Sequence, residues 1–268
     1  MKNKIIGILT LFGTLLLLTG CGLTRDLKQV NAGQETIIVG LDETFVPMGF
    51  RAKNGELTGF DIDLAQAVSK QIKQKIAFQP IDWDMKETEL KNGTIDLIWN
   101  GYSKTPAREK SVLFSQSYLS NSQVVITRKK SNITKIADLT GKKVGLQQGS
   151  SGQMLYDEKP QLLKQRVKET VLYDTFNNAF LDLKAGRIDA IMGDSIYINY
   201  YVRESGEKEQ YQLVETPFMP ETFAIGMRPQ DQQLKGRIDA ALKSLEANGT
   251  MTKLSERWFQ EDLSIPEK

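Results

Sequence analysis

Short apolar runs alternate along this chain with longer segments in which apolar residues recur every three or four positions. The runs at 35–41, 76–80 and 95–99 predict buried strands, because each is short, largely apolar and followed within two residues by a polar one. Between the first two, Phe60 and Leu64 begin a series on one face of an amphipathic helix. The alternation predicts an α/β fold with mostly parallel sheets.

One helix-to-strand pattern occurs twice in the chain. Leu90-Lys-Asn-Gly-Thr-Ile-Asp96 is repeated as Leu183-Lys-Ala-Gly-Arg-Ile-Asp189. Each copy predicts the end of a helix, a glycine that stops it and a buried strand. We therefore expect two halves of similar architecture, although two unrelated α/β units can share such a pattern by chance.

Polar, aromatic and glycine residues gather where the predicted strands end. In parallel sheets, ligands bind outside the carboxyl ends of the strands, so these positions predict one site. The glycine- and serine-rich turn at 147–152 also offers backbone N–H groups at the start of a helix, but it lacks the Gly-Lys-Ser/Thr ending of a P-loop. The strand-end positions are Asp42, Trp83, 101–108, 147–152 and Asp194.

The segment 99–110 joins a predicted strand to a predicted helix. Thr105 followed by Pro106 is typical of an N-cap and a first helical position, which places Arg108 in the first turn. A cation is unfavourable there because the helix dipole is positive at that end. A bound carboxylate or phosphate would compensate for it, and so would an ion pair with a neighbouring Asp or Glu.

Composition excludes several kinds of chemistry. The 268 residues include no His and one Cys, so a Ser-His-Asp triad, a His-ligated metal and a disulfide within the chain are excluded. The formal charge of +2 disappears if Lys2 and Lys4 are removed, which leaves 33 basic and 33 acidic residues (35 − 2 = 33). A neutral chain gives no reason to expect nucleic acid as a partner. We predict no metal and no cofactor.

The N-terminus predicts export and a lipid anchor. Lys2 and Lys4 precede an apolar run at 5–18, too short to span a bilayer comfortably and typical of a signal peptide. The run ends in Leu18-Thr-Gly-Cys21, which resembles the bacterial lipobox, in which the cysteine is lipidated. We expect residues 1–20 to be the signal peptide, Cys21 to carry the lipid and 21–34 to be a tether. The alternative is an ordinary signal peptide with an incidental cysteine.

An arginine and an aspartate at two strand ends suit a zwitterion. Arg108 can bind a carboxylate through two parallel N–H bonds, and Asp194 can accept from an ammonium group. Asp42 and Glu221 offer acceptors for the tip of the ligand's side chain. Two aromatic residues could stack on a guanidinium, so arginine or lysine ranks before glutamine. The other candidate ligand-binding residues are Phe45, Trp83, Gly101, Ser103, Gln147, Ser150 and Ser151.

The chain resembles the polar amino-acid solute-binding proteins of ABC importers, known as extracellular solute-binding proteins of family 3. The resemblance implies a type II periplasmic-binding-protein fold, with two α/β lobes, a two-strand hinge and a ligand cleft between the lobes. It divides the chain into a first lobe (35–119 and 220–268) and a second lobe (120–219). The motifs that carry it are 42–47, 59–64, Asp82-Trp83, 93–96, 101–108, Phe114-Ser115, 148–151, 186–189, Asp194 and Trp258-Phe259.

The resemblance also implies roles for individual residues. Arg108 would hold the α-carboxylate and Asp194 the α-ammonium group, while serines of both lobes complete the contacts. A membrane permease would be the partner, the chain would be a monomer on the outer face of the cell membrane, and no reaction would be catalysed. Pro106-Ala107 replaces the usual acidic pair before the arginine, and Gln147 stands where some glutamine binders carry lysine. A surface amino-acid sensor and a dehydratase-like enzyme on the same fold are the alternatives.

Overall fold

A computed structural model describes residues 36–265. The predicted signal peptide, Cys21 and the whole predicted tether therefore lie outside the described residues. Within them, the strands in chain order are β1 (Ile37–Leu41), β2 (Thr44–Phe45), β3 (Gly49–Arg51), β4 (Leu57–Thr58), β5 (Ile76–Pro80), β6 (Leu97–Ile98), β7 (Leu113–Phe114), β8 (Leu119–Asn121), β9 (Gln123–Arg128), β10 (Lys143–Gln147), β11 (Glu169–Tyr173), β12 (Ala190–Asp194), β13 (Tyr211–Glu215), β14 (Glu221–Phe223) and β15 (Gly226–Met227).

Helices follow most of these strands and cover the sheets. The structure confirms the amphipathic helix predicted after the first strand, and both glycines of the repeated pattern end helices. Gly93 and Gly186 each have a φ of 76°, the left-handed conformation that glycine adopts readily. The α-helices are α1 (Phe60–Ile72), α2 (Lys86–Asn92), α3 (Ser151–Glu158), α4 (Phe176–Ala185), α5 (Ser195–Ser205), α6 (Gln232–Ala247) and α7 (Thr250–Phe259).

Two five-stranded sheets form the framework, in the orders β5-β1-β6-β15-β7 and β11-β10-β12-β9-β13. The expectation of mostly parallel sheets is wrong, because each sheet has two parallel and two antiparallel pairings. The antiparallel pairings all involve β9 or β15. Each of these is the first strand in its sheet after the chain has crossed from the other sheet. It runs opposite to the parallel strands beside it.

The two crossings pair with each other as a separate two-stranded ribbon. β8 and β14 run antiparallel, with Asn121 opposite Glu221 and Leu119 opposite Phe223. This ribbon is the two-strand hinge of a type II periplasmic-binding-protein fold. From the position of the crossings we propose that, of the described residues, 36–119 and 220–265 form the first lobe and 120–219 form the second. In the described part of the chain, no helix is long and apolar enough to cross a membrane.

Candidate functional site

The predicted site residues come together between the lobes. A cavity of only about 10 Å³ separates them, and side chains of both lobes close it. Hydrogen bonds cross the cleft, from Gln147 Nε2 to Asp42 Oδ2 at 2.9 Å and between the hydroxyls of Ser103 and Ser151 at 3.0 Å. Eight of the eleven candidates line the cavity itself: Phe45, Trp83, Gly101, Arg108, Gln147, Ser150, Ser151 and Asp194.

Arg108 lies at the start of a single 3₁₀ turn, not in an α-helix as the sequence predicts. The turn spans only Arg108–Lys110, because β7 begins three residues later and packs into the first sheet. Thr105 keeps part of its expected role, since its Oγ1 accepts from the Arg108 backbone N–H at 3.3 Å. An anion at this position would therefore rely on the guanidinium and not on a helix dipole.

The Arg108 side chain is 5% exposed and spans the cleft. Its Nη1 donates to the Ser103 carbonyl at 2.9 Å in the first lobe, and its Nη2 donates to the Gly149 carbonyl at 3.1 Å in the second. The nearest carboxylate oxygen, from Glu87, lies 3.5 Å from Nε, which makes no hydrogen bond in the described part of the chain. The predicted alternative, an ion pair with a neighbouring acid, is therefore present only as a long contact, and N–H groups of the guanidinium remain available to a ligand.

Ser150 and Ser151 sit where the second lobe presents the start of α3. The Ser150 hydroxyl caps this helix, accepting from the Gln153 N–H at 3.0 Å, as expected for a serine before a helix. Gly149, just before it, has a φ of +70°. The turn therefore points its Gly149 carbonyl and the Ser151 hydroxyl toward the first lobe.

Asp194 ends β12 and is buried. Its Oδ1 accepts from the side-chain amides of Asn121 and Gln123. Burial raises the pKa of Asp194 from 3.8 to about 7, and the nearby charge of Glu221 adds to the rise, while both amides and Arg108 oppose it. A ligand ammonium group would supply the positive charge that this carboxylate lacks.

Glu221 does not lie where the sequence interpretation places it. Its Oε2 accepts from the hydroxyls of Ser103 at 2.7 Å and Ser151 at 2.9 Å, and it lies 3.4 Å from Gln123 Nε2. Glu221 thus belongs to the Asp194 network and not, with Asp42, to the side-chain tip. The reason is its place on β14, because hinge pairing sets it opposite Asn121, which donates to Asp194.

Asp42 lies in a different part of the cleft from Asp194, in the wall of a second cavity. Its Oδ1 accepts from the N–H and hydroxyl of Thr44, and its pKa is raised by burial despite these bonds and the bond from Gln147. The second cavity, of about 280 Å³, lies between the lobes. Four aspartates line this cavity, namely Asp42, Asp82, Asp84 and Asp174.

The two predicted aromatic residues are both buried at the cleft. The Phe45 ring stacks on Tyr197 of the second lobe, with centroids 5.3 Å apart. Trp83 meets Tyr102 edge-on at 6.0 Å, and Tyr102 in turn lies 4.3 Å below the Arg108 guanidinium. Tyr102 falls within the predicted site segment 101–108 but is not among the predicted ligand-binding residues, and neither is Tyr197.

Asp61 supports the site from behind, a role that the sequence pattern does not indicate. It lies in the first turn of α1, and its Oδ2 accepts from the Gly101 N–H at 2.7 Å and its Oδ1 from Trp99 Nε1 at 3.2 Å. Gly101 needs this support because its φ is +59° and a Cβ there would lie 2.6 Å from the Phe45 ring. Asp61 therefore fixes the turn that lines the cavity.

We expect Asp61→Asn to lower the free energy of unfolding in urea by about 1–3 kcal/mol, because the amide cannot accept from both donors. Burial raises the pKa of Asp61 to about 7 in the folded chain, above its ordinary 3.8. The wild-type unfolding free energy should then fall as pH rises from about 4 to about 7 and level off above that, and D61N should lose this slope. Asp63→Asn, in the same turn but on the α7 side, is the matched control and should cost about 1 kcal/mol or less.

Comparison with known proteins identifies relatives over nearly the whole described region. The family model of the bacterial extracellular solute-binding proteins, family 3, matches residues 37–261. The ABC transporter arginine-binding protein 1 of Escherichia coli K12 is 34% identical over 228 residues, which cover 84% of this chain and 91% of that protein.

Solved structures agree in fold as well as in sequence. The crystal structure of an ABC uptake transporter substrate-binding protein from Streptococcus pneumoniae with bound histidine is 46% identical, with a TM-score of 0.85, and the match covers 86% of this chain and 95% of that one. The ancestral amino acid-binding protein AncCDT-1, described as a precursor of cyclohexadienyl dehydratase, is 31% identical with a TM-score of 0.76, covering 84% and 95%.

Proposed function

Because the chain belongs to the bacterial extracellular solute-binding proteins of family 3, we propose that it captures a polar L-amino acid between its lobes and delivers it to an ABC importer. The observation that carries the proposal is the pairing of a buried guanidinium and a buried carboxylate at one cavity between the lobes. Free L-amino acids carry the two opposite charges that this pair would bind.

The ligand's carboxylate would lie against Arg108. It would take the guanidinium N–H groups that now reach the Gly149 carbonyl or lack an acceptor. Its ammonium group would lie against Asp194, where Glu221 and the Ser151 hydroxyl provide further oxygen atoms. Charge-assisted bonds at both ends are the strong kind, so backbone recognition would be shared by all L-amino acids.

Lobe closure would follow from this arrangement without any covalent chemistry. Arg108 belongs to the first lobe and Asp194 to the second, so one ligand makes both sets of contacts only when the lobes close. Converting a population that is 1:99 closed to 99:1 takes about 5.5 kcal/mol of differential binding. Two charge-assisted contacts of about 1.5–3 kcal/mol each supply most of that free energy.

A basic side chain fits the rest of the cleft best. Asp42 and the three other aspartates of the 280 Å³ cavity would face a cationic tip extending past Trp83. Arginine or lysine therefore ranks first and glutamine second. The relative from Escherichia coli is named for arginine, which agrees with this order, whereas histidine is bound in the pneumococcal structure.

Calorimetric titration of the mature chain with the twenty L-amino acids tests the proposal. We expect one-to-one binding of arginine or lysine, and we expect Asp42→Asn to weaken these two about tenfold while changing glutamine binding less than threefold. Asp174→Asn, at the outer wall of the same cavity, should change preference less. Binding of glutamine and neither basic amino acid would contradict the basic specificity, and binding of none would contradict the function.

The anchor and the absence of catalysis are part of the same proposal. Cys21 would carry a lipid that holds the chain on the outer face of the cell membrane, where a monomer would meet the permease. Fractionation of cells expressing the chain tests this, since an unlipidated protein would leave the membrane fraction. The named relatives are binding proteins, and we propose binding without turnover; incubation with dehydratase substrates should yield no product.

A further inference from the structure

We propose that Lys86 is a closure residue, which holds the lobes together by bonding the Gly149 carbonyl of the opposite lobe without touching the ligand. The inference rests on the proposed function, because closure matters only if a ligand is held between the lobes. Lys86 lies at the start of α2 in the first lobe and is 1% exposed. Neither the fold nor the ligand contacts explain a lysine so completely buried.

The geometry of Lys86 is that of a fixed link across the cleft. Its Nζ donates to the Gly149 carbonyl at 2.8 Å and to the Trp83 carbonyl at 2.9 Å. The first bond crosses between the lobes, while the second fixes the ammonium group on its own lobe. The Nζ also lies 5.0 Å from the centre of the Trp83 ring. Lys86 therefore connects the turn before α3 to the wall of the ligand cavity.

Two carboxylates and one further cation surround Lys86. The charged groups facing it are Glu87 at 3.1 Å, Asp84 and Arg108. Glu87 is shared, since its other oxygen lies 3.5 Å from Arg108 Nε and accepts from the Tyr102 hydroxyl. Two buried cations therefore face two carboxylates, and Glu87 is the one that both cations share.

Lys86 and Arg108 share the Gly149 carbonyl as acceptor, and a bound ligand would give the two side chains different roles. Both side chains donate to the Gly149 carbonyl, at 2.8 and 3.1 Å. When a ligand carboxylate draws the guanidinium away, Lys86 remains as the donor that satisfies this carbonyl. Arg108 would then recognise the ligand, and Lys86 would keep the second lobe closed over it.

Lys86→Met tests this role, because methionine keeps most of the length and removes the charge and the donor. We expect stopped-flow dissociation of the bound amino acid to accelerate about tenfold or more, with association changed less than threefold. Single-molecule FRET between dyes on the two lobes should show a smaller closed fraction with and without ligand. Lys91→Met, on an exposed position of the same helix, should change neither quantity.

A pH profile separates this role from a merely structural one. Burial, helped by the charge of Arg108, lowers the pKa of Lys86 to about 8. Dissociation from the wild-type chain should therefore accelerate as pH rises through about 8, while K86M shows no such rise. Unchanged dissociation in K86M, or the same pH rise in both proteins, would overturn the proposal.

Failure of the Lys86 proposal can be told apart from failure of the proposed function and from failure of the variant to fold. If the wild-type chain binds no amino acid, the proposed function fails, and the closed fraction measured by FRET without ligand still decides the role of Lys86. If K86M does not fold, the wild-type pH profile and Lys86→Arg decide it. A preserved charge and donor in K86R should keep dissociation within about threefold of the wild type.

Discussion

Arg108→Met is expected to weaken binding of every L-amino acid by about 100- to 10,000-fold. A carboxylate held by two charge-assisted bonds gains about 1.5–3 kcal/mol from each, and about 1.4 kcal/mol corresponds to a factor of ten in affinity. The loss should be the same for arginine, lysine and glutamine, since all three present the same α-carboxylate. Isothermal titration of the mature variant against these amino acids measures it.

Two further variants test whether the loss of affinity is specific to the Arg108 guanidinium. Lys110→Met removes an exposed cation from the same 3₁₀ turn and should leave affinity within about twofold of the wild type. Arg108→Lys keeps the charge but loses the planar pair of donors, and we expect it to remain about tenfold or more weaker. Loss of one ligand with retention of another in R108M would contradict a shared carboxylate site, provided that circular dichroism shows a folded variant.

The sequence predicted the two-lobed α/β fold and which residues gather at the cleft, but not the direction of every strand. Residues that follow predicted strands, among them Asp42, Gly101 and Asp194, do meet at one cavity or bond to its walls. This works because the position of a strand end depends on local patterns, and the carboxyl ends of neighbouring parallel strands share one edge. Whether these residues bind a ligand stays a prediction.

What the sequence could not predict depends on how the two lobes meet. Glu221 lies beside Asp194 because hinge strands pair in one register, and buried Lys86 donates to the Gly149 carbonyl of the other lobe. Neither contact can be predicted from hydrophobic periodicity. The antiparallel entry of β9 and β15 is missed for the same reason, since it follows from the path of the chain between sheets.

We expect Asp194→Asn to weaken amino-acid binding about 100-fold or more, because it removes the negative charge that would pair with the ligand's ammonium group. The ionisation of the same carboxylate also predicts a pH dependence of binding. Burial and the charge of Glu221 raise the pKa of Asp194 to about 7. A ligand ammonium group favours the ionised carboxylate and lowers that pKa. Binding therefore releases a proton below about pH 7, and wild-type affinity should fall there by about tenfold per pH unit, whereas D194N should show no such fall.

Glu221→Gln is the variant that separates this charge effect from a simple loss of contacts. The change keeps the size of the side chain and an oxygen for the Ser103 and Ser151 hydroxyls, but it removes the negative charge beside Asp194. The pKa of Asp194 should fall, so the pH at which affinity begins to drop should move lower in E221Q. A drop at unchanged pH would show that Glu221 does not act on Asp194, and a pH-dependent drop in D194N equal to that of the wild type would assign the titration to another group.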